Sequence, residues 1–334
     1  FSPAYKSSME ELIMRLTTYG TRGSIPISNP KSVKYGGNTT CIRIESECIP
    51  AGQWLVLDAG SGFVPLSGDA LAAKISQMNL LQTHHHHDHN QGMLLSPITF
   101  IKQIPFHVYG PMQDNWSPKQ VFEAIMQKPL FPVPAKVVLS HFHFHKLEYP
   151  TTVVILVHPE GGFKLMDVDV FEKTIAKDAP LPFKGMRFPV GECLVIKMHR
   201  TEHPETTISY RVEERPTGKV AAVLTDHETQ ASVPMSLRAH LKDVDVLLQD
   251  CQYTPEEYYS GRTAGFGHGT PDFAATLAGI VGAKRLGLMH HDPKSTDQDV
   301  DAILAIAREE AGKNKKGIAP KSIFACADYM IIEV

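Results

Sequence analysis

Residues 80–92, LLQTHHHHDHNQG, run from an apolar stretch directly into five histidines and one aspartate within six positions. A tag or a random histidine tract has no reason to stop in HDHNQG at the end of a strand. Side chains alternate in direction along extended backbone. His84 and His86 therefore project to one side, and His85 and His87 to the other. Asp88 and His89 follow at a turn. The run thus supplies one pair of donors for one metal ion and a second pair for another. These are the N and O donors that divalent zinc takes at about 2.0–2.2 Å.

Such a loop needs a rigid scaffold and further donors, and the rest of the chain offers both. QWLVLDAG, MNLLQTH, PFHVYGP, AKVVLSHFHF, GKVAAVLTD, VDVLLQD and KRLGLMHH read as short apolar strands. Between them SPKQVFEAIMQK reads as a helix, with Ser117 as cap and Pro118 first. TPDFAATLAGIVG is a second helix, from Thr270 to the stop at Gly282, and DQDVDAILAIAREEAG a third, ending at Gly312. KSIFACADYMIIEV closes with a strand. Polar functional residues gather at the carboxyl ends of these strands, where a scaffold holds ligand loops.

At 334 residues and 43% hydrophobic, the chain can build one large core. We expect a single domain over 15–334, with an inserted arm at about 158–190 that is rich in Pro and Gly. That segment balances five basic residues (Lys164, Lys173, Lys177, Lys184, Arg187) against five acidic ones (Glu160, Asp167, Asp169, Glu172, Asp178). Residues 1–14 read as an N-terminal extension, with Met14 a plausible start. A net charge of −3 does not favour a nucleic-acid surface. Five scattered cysteines without a CxxC read as buried thiols in a reducing, cytoplasmic setting. No apolar run reaches the length of a membrane span, so no membrane partner is expected.

THHHHDHNQG resembles the HxHxDH motif of the metallo-β-lactamase fold, as His84-x-His86-x-Asp88-His89. EHPETTISYRVE, AAVLTDHE and GLMHHDP follow in the order of that superfamily's later motifs. YGTRGSIP, YGGNTTC, LDAGSGF and GFGHGT resemble the branch that holds the tRNA 3′-endonucleases (ribonuclease Z) and related phosphodiesterases. The resemblance covers about residues 15–300.

This resemblance implies an α/β fold, an αββα sandwich of two mixed sheets flanked by helices. It implies His84, His86 and His203 at a first metal, Asp88, His89 and His290 at a second, and Asp226 bridging them. His291 adjoins His290 and either can serve, with His290 preferred because it directly follows the strand. No thiolate is in the set, so zinc comes first and manganese or iron also suit it. His268 is the candidate general acid, counted as catalytic with Asp88. Asp58 is expected to orient a ligand histidine, and Asn38 to support the site or touch substrate. Asp250 and Tyr253 are further candidates for supporting contacts.

The expected activity is a dinuclear metal-dependent phosphodiesterase acting on a small substrate such as a cyclic nucleotide, with a homodimer implied by analogy. The alternatives are the tRNA 3′-endonuclease itself and a metal-dependent oxidoreductase of the same fold. The tRNA enzyme needs a basic arm to grip a polyanion. It also carries an acidic residue shortly before the bridging aspartate, where this chain has KVAAVL.

Overall fold

The computed structural model describes residues 14–314 and 317–334. The expected extension at 1–14 lies outside these residues except for Met14, which is buried, its carbonyl accepting from Val334 N. One sheet holds β1 (Arg15–Gly20), β2 (Cys41–Glu45), β3 (Gln53–Leu57), β4 (Gln77–Leu81), β5 (Phe106–Pro111) and β6 (Phe142–Leu147). The other holds β7 (Val153–His158), β8 (Gly162–Asp167), β11 (Leu194–Arg200), β12 (Ile208–Glu214), β13 (Lys219–Leu224), β14 (Val246–Asp250), β15 (Arg285–Met289) and β16 (Ile323–Ala325). A small hairpin, β9 (Leu181–Phe183) and β10 (Met186–Phe188), stands apart, and β17 (Met330–Glu333) returns to the first sheet beside β1. The strand orders are β17-β1-β2-β3-β4-β5-β6 and β16-β15-β14-β13-β12-β11-β7-β8.

Alternation along each strand sorts apolar residues into layers. Leu55 and Leu57 of β3 join Ile155, Ile196, Val223 and Leu248 in a core between the sheets. Val56, from the opposite face of β3, packs with Phe63, Leu66 and Phe122 under the helices of the first sheet. Ala222 and Leu224 of β13 pack outward against Leu237, Leu277 and Ile303 of the helices on the second sheet. Helices therefore cover both outer faces of two stacked sheets, which is the expected αββα sandwich.

Strand direction then puts the functional loops together. β3 to β6 run parallel. β13, β14 and β15 also run parallel to one another. β11 points the same way as β13, because two antiparallel pairings separate them. The two sets of carboxyl ends meet at one rim. Ile208 N donates to Thr83 O at 3.0 Å, and the Tyr210 hydroxyl to Gln82 O at 2.8 Å, tying the sheets together there.

Three local readings change. The strand expected from Ala135 begins only at Phe142, because Pro134 opens a helical turn at Ala135–Val138. An apolar run without alternation does not distinguish the two states. The C-terminal stretch makes two strands, β16 and β17, one in each sheet. The last long helix passes Gly312 to Lys313, and starts at a capping box of Thr296 and Asp299.

The 158–190 segment is regular. β8 extends the sheet at β7, and the helix Val168–Ala176 and the β9–β10 hairpin follow. Phe171, Leu181 and Phe183 pack on Val154, Leu156 and Val195 from the outer face of β7 and β11. Phe171 is 1% exposed in this cluster. Truncating a buried Phe costs about 3–5 kcal/mol. We expect Phe171→Ala to lower global stability by about 3 kcal/mol in urea unfolding. A near-zero change would show that the segment unfolds separately from the sheets.

Candidate metal centre

Six strand ends build the site. β4 runs on into His84, His85 and His86, still extended at His86 (φ −61°, ψ 154°), and a single helical turn then covers His87–His89. The extended stretch sends alternate rings apart, as the sequence indicates. His84 is fully buried and the half-exposed His86 ring lies 4.4 Å from it and 5.2 Å from the His203 ring, whereas the His85 Nε2 turns to the Pro111 carbonyl at 2.9 Å and His87 is exposed. β11 leads to His203, β13 to Asp226 and β15 to His290. β3 leads to Asp58, and β14 ends on Asp250.

Asp58, Asp226 and His290 all have left-handed backbone, with φ of 58°, 51° and 60°. Non-glycine residues seldom adopt this conformation, and it concentrates at functional sites. The loops also approach closely. A Cβ on Gly92 would lie 1.9 Å from the Gly60 carbonyl oxygen, so only glycine lets the NQG turn lie against the DAG turn.

The side chains form two donor sets that share one carboxylate. His84, His86, His203 and Asp226 bring donor atoms within 4.8 Å of one another, and so do Asp88, His89 and His290. In the second set the spacings are narrow. His89 Nε2 lies 3.4 Å from Asp88 Oδ2 and 3.2 Å from Asp226 Oδ1. His290 Nε2 lies 3.3 and 3.4 Å from the same two atoms. In the first set His84 Nε2 is 3.7 Å from Asp226 Oδ2. Donors about 2.1 Å from a common ion are themselves roughly 3.0–3.5 Å apart. The two Asp226 oxygens thus face different sets, as a bridge requires.

The other ring nitrogens of His84, His89, His203 and His290 are occupied, which fixes these four imidazoles. His89 Nδ1 pairs with Asp58 Oδ2 at 2.7 Å, and Asp58 also accepts from Thr83 N and Oγ1 at 2.8 Å each. His290 Nδ1 faces Gln252 Oε1 at 2.9 Å. His203 Nδ1 faces the Gly267 carbonyl at 3.0 Å, and His84 Nδ1 the Thr83 hydroxyl at 3.1 Å. The inward nitrogens of His84, His89 and His203 are buried without a hydrogen-bond partner. Metal-ligating histidines show this pattern, with one nitrogen held by the protein and the other left for an ion.

Electrostatics agree. Burial opposes the charge on Asp88 and Asp226, but the adjacent imidazoles outweigh it and hold both carboxyls well below the usual range. Burial likewise opposes charge on His89 and His290, yet the same carboxylates prevail, raising His89 well above its ordinary value and His290 to about 9. Burial dominates at His84 and His203, which are pushed down. The cluster calls for positive charge between its carboxylates. A divalent ion held by these residues would supply that charge in place of protons on His89 and His290. The donor set therefore fits divalent metal.

His268 stands beside this cluster, with a ring nitrogen within 4.8 Å of Asp226 and His290 donors. Its Nδ1 donates to Asp250 Oδ2 at 2.8 Å. Glu228 holds the preceding loop by accepting from Gly265 N, Gly267 N and the Tyr258 hydroxyl. Gly267 has φ +88°, and a Cβ there would lie 2.0 Å from His203 Nδ1. The loop thus positions His203 and His268 together.

His291 turns away from the cluster, its Nε2 on the Cys326 carbonyl at 2.9 Å, leaving His290 inside. His227 also faces elsewhere and stacks on Phe273. Asn38 bonds to Ser61 and Asp328 and bears on the loop, not on the histidines. Tyr253 packs edge-on to His268 at 5.7 Å. Gln252, Glu228 and Glu205 were not anticipated, and only their proximity to the cluster reveals them. His143 and His145 of β6 stack with His107 of β5, away from this rim. Among the described residues, no helix is long and apolar enough to cross a membrane.

No family model matches the chain. A curated relative, ribonuclease BN of Cronobacter sakazakii, is 25% identical over 307 residues, spanning 87% of this chain and 93% of that protein. Among solved structures, the metallo-β-lactamase-fold protein YhfI of Bacillus subtilis superposes with a TM-score of 0.60 at 19% identity, covering 96% of this chain and 100% of its own. Unliganded yeast PDE1 gives 0.59 at 12% identity, covering 96% and 99%. Layer order, rim and likeness agree that this chain has the metallo-β-lactamase fold.

Proposed function

We propose that the protein is a dinuclear metal-dependent hydrolase that cleaves a phosphodiester bond of a small substrate such as a cyclic nucleotide. The observation that carries this reading is Asp226, shared by two donor sets that are buried except for the half-exposed His86, with His268 beside them. Zinc is the first choice of metal for N and O donors in these numbers, with manganese or iron as alternatives. When bound, such a pair supplies Lewis-acid charge to phosphoryl oxygens and lowers the pKa of water at the site.

The chain's own residues do the rest. His84, His86, His203 and Asp226 would hold the first ion, and Asp88, His89, His290 and Asp226 the second. Asp58, Gln252 and the Gly267 carbonyl keep the imidazoles aimed inward. Asp250 Oδ2 accepts from His268 Nδ1, which holds a proton on that nitrogen and leaves Nε2 for exchange. Nε2 takes up a proton from solvent first, and the imidazolium can then deliver that proton to the departing alkoxide oxygen and return to the neutral ring. General acid help of this kind is worth about 10²–10⁴-fold.

A small substrate is favoured over a polyanion by the mouth of the site. The cleft beside His203 is lined by Arg200, Glu202, Pro204, Glu228, Gly265 and Gly267, with two carboxylates to one guanidinium. The charge-balanced 158–190 segment packs onto the sheet instead of adding a basic surface. The likeness to a protein named as a ribonuclease keeps RNA cleavage, and with it the expected alternative of a tRNA 3′-endonuclease, as the second reading. A tRNA precursor should therefore be assayed beside cyclic nucleotides, and preferential cleavage of the precursor would reverse the order.

Three outcomes are expected. The purified protein should hold two divalent ions per chain by elemental analysis, and Asp226→Ala should deplete both positions. One ion with full activity would end the dinuclear reading. His86→Ala should abolish turnover, whereas His85→Ala and His87→Ala should stay within about tenfold, or ~1.4 kcal/mol of barrier. Equal loss at all three positions would contradict the alternation. His268→Ala should lose about 10²–10⁴-fold on a ribose phosphodiester, much less on bis(p-nitrophenyl) phosphate, whose leaving group needs no proton, and should keep its metals. A uniform loss on both substrates would rule out proton donation.

A further inference from the structure

Glu205 lies two residues beyond His203, at the solvent side of the first donor set. Its Oε2 is 3.0 Å from His86 Nε2 and 3.7 Å from His203 Nε2. The side chain as a whole is 37% exposed, yet this oxygen is buried and has no hydrogen-bond partner. An ordinary surface ion pair would place the carboxylate along the imidazole N–H. Here the oxygen stands 3.0 and 3.7 Å from the Nε2 atoms of two histidines of the first set, the spacing of donors around one ion. His203 Nε2 is itself unpartnered.

Charge distribution points the same way. The second set has its own carboxylate, Asp88, besides a share of Asp226. The first set, with three imidazoles, has only the share of Asp226. A divalent ion there would keep most of its charge uncompensated. Glu205 is the nearby carboxylate that can balance it.

We propose that Glu205 is a fifth donor to the first metal position and closes that position on its solvent side. The proposal rests on the dinuclear reading above. Binding of this carboxylate makes the two positions alike in charge, each with one carboxylate of its own and one shared. It also means that a phosphoryl oxygen approaching the first ion from solvent meets Glu205 and must displace it.

The test uses the metals alone. Metal-free full-length protein is titrated with Zn²⁺ against a chromophoric chelator, for the wild type, Glu205→Ala and Glu205→Gln. Circular dichroism confirms folding, and Glu205→Gln keeps the side-chain volume if the alanine variant is unstable. Wild type should bind two ions. Both variants should weaken one position by about tenfold to a hundredfold and leave the other unchanged, the range seen when a supporting group of a metal site is lost. Cobalt(II) loading gives a second readout. Loss of a fifth donor should intensify the visible absorption of the first position as its coordination falls toward tetrahedral. Unchanged affinities with an unchanged cobalt spectrum would overturn the proposal and leave Glu205 as an ion-pair partner of His86. A wild type that binds no divalent ion would overturn the dinuclear reading itself, and this inference with it.

Discussion

Asp226 is a carboxylate at 1% exposure, in left-handed backbone, touched by imidazoles from both sheets. His84 and His89 reach it from the end of β4, and His290 from the end of β15. Removing a charge from water costs several kcal/mol unless it is well compensated. Three neighbouring imidazoles and the Thr225 hydroxyl, at 2.7 Å, supply that compensation in part, and a divalent pair would complete it. The rest of the rim follows from this requirement. Both sheets must end at the same level, and the Tyr210–Gln82 and Ile208–Thr83 hydrogen bonds hold them there.

Around this carboxylate the protein has invested in orientation. Each inward-facing imidazole whose outer nitrogen is buried finds a different acceptor or donor: Asp58, Gln252, the Gly267 carbonyl or the Thr83 hydroxyl. Such partners fix ring direction and tautomer and raise metal affinity. The same logic extends to His268, held by Asp250 on a loop clamped by Glu228. For the proton-donor role proposed for His268, anchoring by a carboxylate and a short glycine turn would position the ring before substrate arrives.

Much of this could be read in the sequence, for specific reasons. The alternation of His84 and His86 against His85 follows from extended backbone alone. Asp58 was readable as an orienting group because it ends an apolar strand before glycines. The alternation of strands and helices points to an α/β protein, and the four layers are what the resemblance to the metallo-β-lactamase fold implies. What could not be read depends on distance in space. Nothing in QDCQYT marks Gln252 as the partner of His290, and nothing in HPETT marks Glu205 as facing His86. The left-handed turns at Asp226 and His290 leave only a weak residue-type signal, since Asp and His are enriched in that region but neither is glycine. The 158–190 segment reads as an inserted arm because half of its core, Val154, Leu156 and Val195, lies on strands outside it.

The central claim is that two ions share Asp226, and anomalous diffraction from crystals of the metal-loaded protein addresses it most directly. The account predicts two peaks per chain, about 3.5–4 Å apart, the separation of paired catalytic metals. One peak should lie among His84, His86 and His203, the other among Asp88, His89 and His290, with one Asp226 oxygen on each. A single peak, or two peaks with Asp226 bound to one of them alone, would contradict it.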